Sequence, residues 1–188
     1  MRKRYRHLLS LAMGIATLML LVSSELSFAE THLTLPDGSK VDLAANCPVC
    51  GMKVGGDMGG SATYSYRDNR LVGFAGMAAA VFKDGNVVGF EGARCLFIYS
   101  AIPKRFGIDV GNIVHRYVTD FPTRKMIDVK DAFLVLGSTI IGPMGREVVA
   151  FTSKGDAERF MSEHQGKRLV QFDNIVPADV ERSGGLQK

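Results

Sequence analysis

Two units of one design, a short apolar β-run leading directly into a helix, restrict the folds open to this chain. In the first, Val87-Val88-Gly89-Phe90 precedes a helix expected over Ala93 to Ile102, where Cys95, Ile98, Tyr99 and Ile102 fall at i, i+3, i+4 and i+7. Pro103 helps to end it. In the second, Val148-Val149-Ala150-Phe151 precedes a helix opened by a Ser153/Asp156 capping box, with Ala157, Phe160, Met161 and His164 on its buried face and Gly166 placed as C-cap. Further strands surround both units. Ala78 to Phe82 pairs with Val87 to Phe90 as a hairpin, because Asp84-Gly85 supplies the positive φ angles of a tight turn. His115 to Phe121, Ala132 to Leu136 and Leu169 to Phe172 read as strands, as does Ala62 to Tyr66 before its polar turn. The expected class is α+β, with two similar β-rich halves of one helix each, packed as one unit because neither half encloses a large core alone.

The first 29 residues stand outside that core. Arg2, Lys3, Arg4 and Arg6 form a basic region, Leu8 to Val22 an apolar one, and Ser27-Phe28-Ala29 a small-x-small cleavage site, which together read as a secretory signal peptide. The apolar run is shorter than the roughly 20 residues of a membrane span. This leader carries a net charge of +3 of the chain's +4, so the mature protein is close to neutral. Its remaining Lys and Arg are scattered among Asp and Glu, and a nucleic-acid partner is not expected. The expected organisation is a signal peptide over 1–29, an N-terminal arm over 30–43 turned by Pro36-Asp37-Gly38, a domain over 44–176 with lobes about 44–120 and 121–176, and a flexible tail over 177–188.

Export sharpens the reading of Cys47-Pro48-Val49-Cys50-Gly51-Met52. Three cysteines, Cys47, Cys50 and Cys95, cannot all pair, so one thiol is left over in an oxidising compartment unless a metal holds Cys47 and Cys50 reduced. Three chemistries suit a C-x-x-C there. Dithiol exchange by Cys47 and Cys50 matches the Cys-Pro-Val-Cys spelling, but the following Gly-Met-Lys-Val-Gly-Gly forms helix poorly and denies Cys47 the helix N-terminus that activates such thiols. Structural zinc needs four closed ligands, and only Cys95 and the isolated His115 and His164 remain to complete them. Cu(I) accepts two or three soft ligands, and a thioether has no proton to lose. Met52 lies two residues beyond Cys50, and Met144 sits in a breaker-rich loop of the other half. Met58, in the Gly-rich run 55–60, is either an auxiliary ligand or a loop residue, and a plain Cys47–Cys50 disulfide remains an alternative state. Cys95 is read as a small buried hydrophobe on its helical stripe.

Cys47-x-x-Cys50-Gly51-Met52, His115-Arg116-Tyr117-Val118-Thr119-Asp120, Gly142-Pro143-Met144-Gly145 and the Ala150-Phe151 … Ala157 … Phe160 … Phe172-Asp173 tail together resemble the NosL family of nitrous oxide reductase accessory proteins. The resemblance covers roughly residues 44 to 176. It implies a periplasmic Cu(I)-binding metallochaperone of two small ββαβ-like lobes, without catalysis. Its implied partner is a copper-receiving exported protein, nitrous oxide reductase or another cuproprotein, or that protein's membrane transporter complex. It implies Cys50, Met52 and Met144 as metal ligands, with Cys47 beside them. Members of the family are commonly lipoproteins, whereas no lipobox cysteine stands at the cleavage site here, which leaves peripheral membrane association.

Overall fold

Pro36-Asp37-Gly38 reverses the chain early, with Gly38 at φ +86° and its N–H bonded to the Leu35 carbonyl at 2.9 Å. Strands β1 (His32–Thr34) and β2 (Lys40–Asp42) pair antiparallel across this turn. The computed structural model describes residues 31–55, 64–67, 70–73, 76–142, 145–176 and 178–179. The expected leader, Met58 and most of its Gly-rich run, Met144 with Pro143, and nearly all of the expected tail lie outside the described residues.

A second hairpin, β3 (Tyr64–Arg67) with β4 (Arg70–Gly73), follows. The Asp84-Gly85 hairpin then forms as its turn chemistry dictates: β5 (Ala78–Phe82) pairs with β6 (Val87–Phe90), with Gly85 at φ +83°. Helix α1 (Ala93–Ala101) leaves β6 at once, and Pro103 takes the first position of a one-turn helix, α2 (Pro103–Phe106). The chain returns as β7 (Ile113–Thr119) on the other side of β5 and continues into β8 (Met126–Asp128), giving the sheet order β6-β5-β7-β8. The same plan recurs beyond it. Strand β9 (Phe133–Leu136) lies between β12 (Val149–Phe151) and β13 (Arg168–Val170), with α3 (Lys154–Glu163) joining the last two. The class is mixed α and β, with antiparallel ladders in both ββαβ units. The breaker-rich segment between β9 and β12 adds β10 (Ile141–Gly142) and β11 (Gly145–Arg146), and β10 runs parallel to β4.

Period-two alternation explains how these pieces stack. On β5, Ala78 and Ala80 enter the core around α1, while Ala79 and Val81 face the β1–β2 hairpin together with Leu35, Val41 and Val54. On β9, Leu134 and Leu136 join the α1 core, while Val135 packs with Ala157 and Phe160 of α3. The layers therefore run hairpin, first sheet, α1, second sheet, α3.

That sandwich alters the expected stripe on α1. The helix is buried continuously from Ala93 to Tyr99 because sheets cover it on two sides, and Ile102, placed on the stripe by spacing, is 37% exposed. Gly166 also differs from expectation. The left-handed position after α3 is taken by Gln165 at φ 54°. Gly166 is needed for space, since a Cβ there would meet Met161 Cγ at 2.5 Å and Val135 Cγ1 at 2.7 Å.

Asp120 joins the two sheets. It is 1% exposed and accepts hydrogen bonds from Thr123 N at 3.1 Å and Thr123 Oγ1 at 2.5 Å on its own side, and from Thr152 N at 2.7 Å and Thr152 Oγ1 at 3.1 Å on the other. The neighbouring Phe121 N–H donates to the Ala150 carbonyl at 2.8 Å.

Candidate metal centre

The stretch from Cys47 to Met52 closes on itself. The Gly51 N–H donates to the Cys47 carbonyl at 2.8 Å, the Cys47 N–H to the Met52 carbonyl at 2.7 Å, and Asn46 and Lys53 form an antiparallel bridge beneath. Gly51 sits at φ +78°, a conformation that costs glycine little and other residues more. The result is a knuckle of turns with no helix, as the Gly-Met-Lys-Val-Gly-Gly continuation implies. Its far end is anchored by Val54, buried with Val41 against β6. Gly89 of β6 makes that approach possible, since a Cβ there would meet Val41 Cγ2 at 2.6 Å and Val54 Cγ1 at 2.7 Å.

The β6–α1 junction supplies the other half. Phe90 is the last residue of β6, Gly92 caps α1, and Cys95 lies in its first turn. With the knuckle lying against β6, the Sγ atoms of Cys47, Cys50 and Cys95 fall within 4.8 Å of one another. Among the described residues this is the one grouping of three or more Cys, His, Asp or Glu side chains able to hold a metal ion. A metal–thiolate bond of about 2.3 Å sets the sulfurs of a trigonal site about 4.0 Å apart, so the three thiols fit one ion with little movement. Cys47 and Cys95 are each 1% exposed and Cys50 is partly exposed, which leaves the cluster one open side. All three thiols are free.

Hydrogen bonding divides the thiols. Cys47 is pulled down to about 5, first by the thiol of Cys95 donating to its sulfur and then, against the opposing effect of burial, by backbone N–H groups of Glu91, Cys50 and Val49. The same bond raises Cys95, which keeps its proton, and burial adds to the effect. Burial raises Cys50 to about 11, with the Cys47 charge adding to it. Cys47 is thus a buried thiolate prepared by backbone donors and a neighbouring thiol, without the helix terminus that activates redox cysteines.

Glu91 lines the cluster from the β6–α1 turn. It is 2% exposed, and its Oε2 accepts from Cys50 Sγ at 3.9 Å and lies 4.0 Å from Cys95 Sγ. Burial, reinforced by the Cys47 charge, lifts it to about 7. Behind it, Glu147 is 3% exposed and lifted to about 8 by burial and the nearby Glu91, with Arg94 acting in the opposite direction. Glu147 Oε2 also lies 3.2 Å from where a Gly92 Cβ would stand.

Of the residues singled out from sequence, Cys47 and Cys50 come together, and Met52 follows them half-buried, its N–H directed at the Cys50 sulfur. Met144 lies outside the described residues. Cys95, read as a core residue, is buried in the α1 core and also completes the thiol group; the leftover third cysteine was the signal for it. Glu91 belongs to no motif and was missed. His164 packs on Phe160 with ring centres 4.4 Å apart, and His115 stacks on Tyr117 and faces Asp128 at 3.6 Å.

The NosL family profile matches residues 39–180. The crystal structure of the copper chaperone NosL from Shewanella denitrificans is similar at 26% identity and a TM-score of 0.55, covering 73% of this chain and 94% of that one. The solution structure of apo-NosL from Achromobacter cycloclastes is similar at 25% identity and a TM-score of 0.42, covering 55% of this chain and 87% of that one. A search of curated proteins found no match.

Proposed function

Because the chain belongs to the NosL family, its profile matching residues 39–180, we propose that it is an exported Cu(I) metallochaperone that carries copper as cargo and performs no catalysis. One observation carries the reading: three cysteine sulfurs within 4.8 Å of one another, two of them buried and one open to the surface. Soft thiolates in a low-coordinate group favour Cu(I) over the harder cations. The partly exposed Cys50 gives the ion a route in and out. The crystal structure named above is of a copper chaperone, which supports the same cargo here.

In this reading Cys47, Cys50 and Cys95 hold the ion, while Met52 and Met144 offer thioether sulfur during entry and hand-over. The recipient is an exported cuproprotein, nitrous oxide reductase by the family resemblance, or its membrane transporter complex. No helix among the described residues is long and apolar enough to cross a membrane.

Competition with a chromophoric Cu(I) chelator under reducing conditions tests this. The parent should bind about one Cu(I). Cys50→Ser and Cys95→Ser should each lose more than the roughly 10- to 100-fold that outer-shell losses cost, and Met144→Ala should lose less than either. Unchanged affinity in all three variants would refute the site.

A further inference from the structure

We propose that Cys50 is the single thiol through which this cluster exchanges electrons with a dithiol–disulfide partner, and that Cys47, not Cys95, closes the resulting disulfide. The observation is the unequal placement of three thiols that all lie within 4.8 Å of one another. Cys47 and Cys95 are each 1% exposed, so a partner's sulfur reaches neither; Cys50 is partly exposed. Attack on a disulfide sulfur requires access along the bond axis, and burial therefore selects the site of attack.

The choice of Cys47 follows from the knuckle. Cys47 and Cys50 share one turn, closed by the Gly51 N–H on the Cys47 carbonyl at 2.8 Å. Both sulfurs ride on the knuckle within 4.8 Å of each other, so a bond between them leaves α1 in place. Cys95 is fixed in α1 between two sheets.

Oxidation then runs in two exchanges. Cys50 gives up its proton to solvent as its sulfur attacks one sulfur of the partner's disulfide; that S–S bond breaks, and the partner's other sulfur leaves with the electron pair. The Cys47 thiolate attacks Cys50 Sγ in the mixed disulfide, forming the Cys47–Cys50 bond and expelling the partner's second sulfur. Two electrons pass to the partner, which takes up two protons as a dithiol. Reduction is the reverse, with the partner's thiolate attacking Cys50 and Cys47 leaving as a thiolate. The oxidised cluster keeps one thiol, Cys95, so a dithiol reductant must act before the site can be loaded. The last step rests on the copper reading; the exchange itself does not.

The probe is oxidised glutathione, added to the reduced, metal-free full chain, with acid quenching, alkylation and peptide mapping by mass spectrometry. The first adduct trapped on the parent should be on Cys50, and the final product should be the Cys47–Cys50 disulfide. Cys47→Ser should accumulate glutathione on Cys50, Cys50→Ser should react at least about tenfold more slowly, and Cys95→Ser should still end in the Cys47–Cys50 disulfide. A first parent adduct on Cys47 or Cys95, or a final disulfide containing Cys95, overturns the proposal. If the exchange pattern holds but the reduced chain shows no Cu(I) affinity, the electron port stands and the copper reading falls. If oxidised parent binds Cu(I) as well as reduced parent, the loading requirement is wrong.

Discussion

Loading the three-thiol site should release protons, and the number released can be read from the cluster. At pH 7 Cys47, held at about 5, is already a thiolate, whereas Cys50, raised to about 11, and Cys95, raised further still, are thiols. Binding Cu(I) to three thiolates therefore displaces about two protons, and the logarithm of the affinity should rise with pH by the number displaced. Glu91 modifies the count. It titrates near 7, and a bound ion with three thiolates adds one net negative charge beside it, which keeps it protonated. Below pH 7 Glu91 already carries its proton and the slope is about two. Above pH 7 it takes up a proton on loading, and the slope falls toward about one. From pH 6 to 8 the affinity should thus rise by roughly a thousandfold. Chelator competition at several pH values, corrected for the chelator's own protonation, measures the slope. Proton release into weak buffer with an indicator dye counts the protons independently. Glu91→Gln should hold the slope near two on both sides of pH 7. A slope near zero would refute the reasoning, because the ion would then be held without the Cys50 and Cys95 thiolates.

Two further outcomes test the frame around the site. Asp120→Ala removes the acceptor of four hydrogen bonds, two of which join the two sheets, and leaves donors unpaired, so urea unfolding should show a loss of about 2–4 kcal/mol. Glu147 is an acid whose folded value is raised to about 8, so the folded state binds more protons than the unfolded one from about pH 4.5 to 8, and Glu147 lowers stability as pH rises through that window. Glu147→Gln should consequently melt like the parent near pH 5 and above it at pH 8.5; equal melting temperatures at both pH values would show that Glu147 is not held in a charge-hostile site.

Local signals made much of the framework legible. The Asp84-Gly85 turn fixed β5 and β6, and Ser153, whose hydroxyl accepts from the Asp156 N–H at 3.3 Å, fixed the start of α3. The absence of a helix after Cys50 was legible too, because the glycines there disfavour helix and permit the positive φ that Gly51 takes. Cys95 and Glu91 were not. An i, i+3, i+4 stripe is the same for a core residue as for a ligand, and on α1 Cys95 is both. Glu91 meets Cys50 across 41 positions of sequence, and nothing local to either residue encodes that meeting. It depends on Gly89, whose missing side chain lets Val41 and Val54 close on β6. In the second unit Ala150 stands at the matching position of Val-Val-Ala-Phe, where no knuckle has to approach.

The same ββαβ plan thus serves two purposes. The first unit holds all three thiols, two on the knuckle docked to its edge strand and one on its helix. The second covers the exposed side of α1 with Leu134, Leu136, Val148 and Ala150. Without that cover α1 would be buried on one face only, and Cys95 would lose half of the packing that fixes its sulfur. The second unit also carries Glu147 to Gly92. Asp120, by tying Thr152 just before α3 to the end of β7, holds the two units in register. A thiol cluster gathered from two separate stretches keeps its spacing only while this register holds. The Asp120→Ala variant should therefore weaken Cu(I) binding even under conditions in which it remains folded, and parent-like affinity in that folded variant would show that the first unit sets the thiol geometry alone.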